Sequence, residues 1–384
     1  MIEAADYIQR RSKLFEMIKR RTAKILVYGK QPLFRIPGYP YDFQQFSDMI
    51  YLTGYNRPGG ALTIQEDNGK LISTLFLPQK PPFQNFDDGL KTSFDEAQKT
   101  SGVDKVLPMT ELQSWLSKNA LDIKNVFTSY PMHQKPHNDH FSPLDGYIDL
   151  LRVIKSPKEI SLIKKARDVT QKALNKTLES LQPGELEAQV ASQLKMNCFE
   201  FGSTGIAHPI VVASGKNSIR LNYFDNNRII NDNECVLINV GAEYNHYISD
   251  LTITATIGKI PLEQQGLLQM VIDIKDILVK NVKGGKIFSL GHLHQSAASM
   301  MMRGLREFGM ELDMRELSRF FPHPTATWMG LDTQECFNVR DDFALTKGCV
   351  FSVEPGLYFS PNAKGVPKDL RGFGCRFGDT VIIE

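Results

Sequence analysis

A glutamate closes an apolar run in Phe351-Ser-Val-Glu354-Pro-Gly-Leu-Tyr358, and a carboxylate in that place suits a metal ligand. The run Cys349 to Val353 reads as a buried strand, and Pro355 with Gly356 breaks it. The pattern therefore predicts Glu354 exposed at the strand's lip. The ordinary alternative is a strand-end carboxylate satisfied by backbone donors. No Gly-x-x-x-x-Gly-Lys-Ser/Thr phosphate loop and no Gly-x-Ser-x-Gly elbow occurs, and Gly284-Gly285 is only a turn signal. Three histidines, His133, His137 and His140, fall in the loop after Tyr130. They read as part of a polar surface connection, because no carboxylate or cysteine framework accompanies them. The five cysteines (Cys198, Cys235, Cys336, Cys349, Cys375) are odd in number and lack any Cys-x-x-Cys spacing. Neither a disulfide framework nor a zinc knuckle is indicated, and the expectation is a reducing compartment, the cytoplasm with the mitochondrial matrix as alternative.

The elements that must position such groups divide the chain in two. A length of 384 residues exceeds one ordinary core. The first part, 1–150, alternates strand-like runs (Lys24–Gly29, Gly60–Ile64, Leu71–Leu77) with helical stretches such as Thr110–Leu116, an α/β pattern. Arg10-Arg11 and Lys19-Arg20-Arg21 near its start read as a solvated helix face, since Glu3, Asp6 and Glu16 spoil a transit-peptide reading. The second part, 151–384, opens at Ser156-Pro157-Lys-Glu159, a capping-box start for a long amphipathic helix. Pro183-Gly184 ends that helix, and a second is expected from about Glu185 to Glu200. Its later helices and strands lack a strict βαβ rhythm, which favours α+β. With 42% hydrophobic and 23% charged residues and a formal net charge of +2, there is no electrostatic case for nucleic acid or an anionic membrane as partner. No apolar run reaches the length of a membrane helix.

At this point the chain resembles a known family. Tyr39-Pro-Tyr-Asp-Phe-Gln-Gln-Phe-Ser-Asp48 with Tyr51-Leu-Thr-Gly-Tyr-Asn56, then Ile154-Lys-Ser-Pro-Lys-Glu-Ile160, Val353-Glu-Pro-Gly-Leu-Tyr358 and Arg371-Gly-Phe-Gly-Cys-Arg376, are similar in order and spacing to the Xaa-Pro aminopeptidases (aminopeptidase P). The resemblance implies a C-terminal pita-bread, creatinase/aminopeptidase-like domain preceded by a smaller α/β N-terminal domain. It also implies two divalent metals, usually manganese, held by two Asp, one His and two Glu. Such ions want hard oxygen and imidazole ligands and lower the pKa of a bridging water for attack on the peptide carbonyl.

Carried over position by position, the pattern places Asp250 and Glu354 on ligand positions, while Asn239, Thr327 and Gly378 stand where Asp, His and Glu are implied. Two histidines implied for proton handling fall at Asn222 and Gln334; His323, Tyr358 and Arg376 keep their types. Asp379 is one residue from the missing glutamate, but one step along a strand reverses the face. The expectation is a pseudopeptidase that has lost three of five ligands, holds at most one divalent metal weakly, and acts by binding a peptide or protein. Pairing as a homodimer, or with an active relative, belongs to the same expectation. The alternatives are residual Xaa-Pro hydrolysis through an unconventional site, and a metal-independent creatinase-like hydrolase using His208 or His246.

Overall fold

The computed structural model describes residues 1–20, 22–37, 39–79, 93–129 and 141–384. The loop histidines His133, His137 and His140, like Arg21, lie outside them. The chain forms two compact units, Met1–Arg152 and Val153–Glu384.

In the first unit the described strands form a mixed sheet in the order Lys105–Pro108, Lys70–Leu77, Ala61–Asp67, Lys24–Tyr28, Val126–Ser129, Ser142–Pro143. Ala61–Asp67 runs antiparallel to both neighbours, and the outer pairings are parallel. Its apolar faces bury Leu26, Ala61, Phe76 and Val126 under the helix Glu111–Asn119. The first helix, Ala4–Ile18, corrects the reading of its basic run. Arg10 and Arg11 are buried rather than solvated. Arg11 donates to the carbonyls of Leu52, Ser101 and Gly102, and Arg10 to that of Tyr51. These are carbonyls at the ends of the helices Ser47–Thr53 and Phe94–Ser101, which no further turn satisfies. A guanidinium with five donors is suited to gather them. Burial pulls Arg11 down to about 10, against the Asp104 charge.

The second unit starts as its sequence dictates. Ser156 and Glu159 cap each other reciprocally, Pro157 occupies the first turn, and the helix runs to Ser180. It packs with the helix Glu187–Glu200 against an antiparallel sheet ordered Val211–Ser214, Glu234–Val240, Leu251–Ile257. The longer helices Leu262–Lys283 and Leu290–Arg306 share a second core with the strand pairs Val350–Val353/Asp379–Ile382 and Gly356–Tyr358/Gly374–Arg376. Pro355 does divide the run Cys349–Tyr358 into two strands. The two sheet systems are joined by a bridge at which Gly378 and Thr252 exchange backbone hydrogen bonds of 2.8 and 3.1 Å.

Candidate functional site

That bridge brings the sequence-predicted positions together. The register pairs Asn239 with Thr252, Asp250 immediately precedes the same strand, and Val353 pairs with Asp379, which sets Glu354 beside Gly378. The neighbouring segment is stitched on through Glu354 N–H to the Thr325 carbonyl (2.7 Å) and Ser352 N–H to the Thr327 carbonyl (2.9 Å).

Asn239 donates from Nδ2 to Asp250 Oδ1 at 2.6 Å, to Thr252 Oγ1 at 2.8 Å and to the Leu251 carbonyl at 3.2 Å. Asp250 also accepts the charge of His208, whose Nε2 lies 3.4 Å from Oδ1. Burial works against the Asp250 carboxylate, yet His208, Arg376 and the Asn239 amide outweigh it and hold its pKa below the usual range. Burial likewise disfavours His208 as a cation, but the Asp250 carboxylate carries it above the usual imidazole value.

Glu354 is not exposed at the strand's lip; its side chain keeps only 15% exposure. The reason lies at Gly378. A Cβ built there would meet Glu354 Cγ at 2.6 Å and Thr252 Oγ1 at 3.2 Å, so the glutamate has folded into the space a side chain at 378 would occupy. There it hydrogen-bonds Asp250, and burial, reinforced by the Asp250 charge, pushes it up to about 7. Arg376 pairs with it without a hydrogen bond: Nε stands 3.7 Å from Oε2, and that buried Nε has no hydrogen-bond partner.

His323 and Tyr358 form an ordered pair on the adjacent wall. His323 Nδ1–H donates to the Pro324 carbonyl at 2.9 Å, and Nε2 accepts from the Tyr358 hydroxyl at 3.0 Å. Burial pushes His323 down to about 4, so the ring is neutral. Tyr358 is raised, first by its own burial.

The other predicted positions separate. Thr327 Oγ1 shares a hydrogen bond with Ser352 Oγ at 3.0 Å. Asp379 turns away from the cluster and forks onto Arg167 at 2.7 and 2.5 Å, as strand alternation requires. Asn222 is exposed. His246 faces Glu243 at 3.6 Å instead of the cluster, whereas His208 is part of it. Sequence reasoning missed the hydroxyls of Thr252, Ser352 and Thr380 around the carboxylates. Their only signal is a polar residue interrupting each apolar strand.

A cavity of about 1030 Å³ opens beside the cluster, with His323, Thr327 and Gln334 on its wall and Phe288, Trp328 and Phe337 among its apolar lining. The residues that line it do not include Asp250, Glu354 or Arg376. The open volume therefore flanks the carboxylates and does not enclose them. No group of three or more His, Cys, Asp or Glu arranged to hold a metal occurs among the described residues.

Residues 161–384 match the family described as metallopeptidase family M24, and residues 7–127 match the aminopeptidase P N-terminal domain. The chain belongs to metallopeptidase family M24. Its two-domain arrangement is that of the aminopeptidase P branch, with the pita-bread fold in the C-terminal domain. It is 28% identical over 417 residues to Xaa-Pro aminopeptidase 3 of Homo sapiens, covering 100% of this chain and 82% of the relative. It is 27% identical over 413 residues to the Xaa-Pro aminopeptidase of Escherichia coli, covering 100% and 93%. The crystal structure of Icp55 from Saccharomyces cerevisiae superposes with a TM-score of 0.86 at 24% identity, over 100% of this chain and 92% of that one, a likeness of fold. No helix among the described residues is long and apolar enough to cross a membrane.

Proposed function

We propose that this M24 chain is a pseudopeptidase: it binds peptide or protein in the cavity beside His323 and does not perform two-metal hydrolysis. The observation that carries this is the Glu354 carboxyl lying in the space above Gly378, hydrogen-bonded to Asp250. Two hard cations need a cage of charged oxygens and imidazole. Here Asn239 points its amide donors at Asp250 and Thr252, Thr327 is committed to Ser352, and position 378 has no side chain. This donor set does not fit a dinuclear centre. Asp250 is already matched by Asn239, His208 and Arg376, which do the neutralising that cations would do.

The binding side supports the same reading. The neutral His323–Tyr358 pair is held by two hydrogen bonds, and the cavity next to it mixes aromatic groups (Phe288, Phe321, Trp328, Phe337) with a comparable share of polar and charged ones such as His294, Gln334 and Asp341, surfaces that suit a peptide better than a purely apolar ligand.

Metal content after soaking in excess manganese and desalting tests the proposal. Near zero ions per chain is expected, together with no turnover of Xaa-Pro peptides and measurable calorimetric binding of one. Two ions per chain with Xaa-Pro cleavage would overturn it. The variant Asn239→Asp/Thr327→His/Gly378→Glu is expected to gain metal, and only as Glu354 swings out of the position it now holds.

The contact between His208 and Asp250 favours one second reading, a metal-independent hydrolase with His208 as acid–base group. Metal-free turnover lost in His208→Ala would move it to first place.

A further inference from the structure

The cavity beside His323 carries a charge that the binding role above leaves unmatched. Its lining contains no lysine and no arginine, yet Glu335, Asp341 and Asp342 all stand on it. Two of the three are matched from within the chain. Glu335 is buried against Lys155 Nζ at 2.9 Å, and Asp342 accepts from Arg340 at 2.9 and 2.7 Å. Asp341 has no ion-pair partner among the described residues. Burial keeps two neighbouring imidazoles neutral near pH 7: His323 is pushed down to about 4, and His294 is lowered although the Asp341 charge works the other way. The backbone fixes Asp341 at the rim. Gly291 N–H donates to its carbonyl at 2.9 Å, which ties it to the start of the helix Leu290–Arg306, just after Phe288. A helix start ordinarily draws anions. Here two of its donors are in use, Gly291 N–H by that carbonyl and His292 N–H by Ser289 Oγ at 3.1 Å. Phe288 and Phe337, on the same cavity, are 62% and 63% exposed. An aromatic face left in water is a place for a cation.

We propose that this cavity selects a peptide carrying an arginine or lysine side chain, whose cation meets Asp341 and the faces of Phe288 and Phe337. The proposal rests on the pocket reading above and names what that pocket prefers. A basic side chain supplies the sign of charge that the lining lacks. An acidic one would meet three carboxylates and no lysine or arginine on the cavity wall, a repulsion that selects against it. An aliphatic one would cover the aromatic faces but gain nothing from Asp341. Of the two basic residues, arginine fits better. Its planar guanidinium stacks on an aromatic face while two of its N–H groups reach one carboxylate. The methylene stem of either residue lies along the apolar part of the wall.

Calorimetry of the full chain with pentapeptides of alanine tests this, the central residue being arginine, its uncharged isostere citrulline, or glutamate. Acetyl and amide groups block both ends, so the side chain alone carries charge. The arginine peptide is expected to bind about tenfold tighter than the citrulline peptide, the combined effect of one partly exposed carboxylate and an aromatic face. The glutamate peptide should bind weakest. In Asp341→Asn the arginine advantage should fall to about twofold. Asparagine keeps the backbone contact with Gly291, and Asp341 is exposed, so thermal unfolding of the variant should match the parent and certify its fold. Equal binding of all three peptides overturns the proposal and leaves the pocket reading standing. No binding of any of them removes both. An arginine advantage that Asp341→Asn leaves intact overturns the assignment to this carboxylate. A citrulline peptide with a free N-terminus that binds as tightly as the blocked arginine peptide also overturns it, because a terminal ammonium would then be what is recognised.

Discussion

Glu187 and Glu354 are carboxylates withdrawn from water in the same unit, and they are held in opposite ways. Glu187 is fully buried and surrounded by donors: the backbone and hydroxyl of Ser214, the Asn217 amide, the Tyr223 hydroxyl and the Arg228 N–H. Glu354 faces a second carboxyl, with the Ser352 hydroxyl as its donor and the Arg376 guanidinium 3.7 Å away. A structural carboxylate in a protein interior is saturated with donors, as Glu187 is. Glu354 instead sits beside a like group with fewer donors, which disfavours its charged form and raises its pKa.

The widest separation is expected on truncation. Glu187→Ala leaves several buried donors unpaired and should cost about 3–5 kcal/mol in urea unfolding. Glu354→Ala should cost far less, within about 1 kcal/mol at neutral pH, because it removes a repulsion along with the side chain. Equal losses would erase the distinction between the two carboxylates.

The next effect is in pH. Glu354 has a folded pKa raised to about 7, so its contribution is present below the unfolded value near 4.5 and is lost as pH rises towards 7. His323 has a folded pKa lowered to about 4, so its contribution is present above the unfolded value of 6.5 and is lost as pH falls towards 4. The windows overlap with opposite slopes, each worth at most about 3 kcal/mol. Stability in Glu354→Gln should therefore rise with pH from about 4.5 to 6.5, and in His323→Asn it should fall over the same range. Parallel pH profiles in the two variants would contradict the assigned burial of one group or the other.

The smallest effect reads the contact itself. Gly378→Ala meets Glu354 Cγ and should destabilise by about 1 kcal/mol. The loss should disappear in the Glu354→Ala background, a coupling that a double-mutant cycle measures directly. Additive effects would mean that Glu354 does not fill the space above position 378.

Much of this was legible in the sequence, and the rest was hidden for definite reasons. The capping box at Ser156 and the break at Pro355 are local, and both appear where the pattern places them. The convergence of Asn239, Asp250 and Glu354 followed from motif order, because the strand registers preserve it. The burial of Glu354 was not legible, since it depends on what is missing across the strand pair at Gly378. The role of Arg10 and Arg11 was hidden too. Composition records their charges, but the carbonyls that bind them lie 41 to 91 residues along the chain.

The fork between Arg167 and Asp379 bears on whether a further carboxylate can join the cluster. The shortest structural route to a new carboxylate in the cluster is a one-residue slip of the strand Asp379–Ile382, which would carry Asp379 inward. That slip would break both bonds of the fork and turn the buried Thr380 and Val381 to the wrong faces. The neighbouring aspartate is thus anchored on the opposite face, and a further acidic group can enter the cluster from this strand only by substitution at position 378, after Glu354 has been displaced.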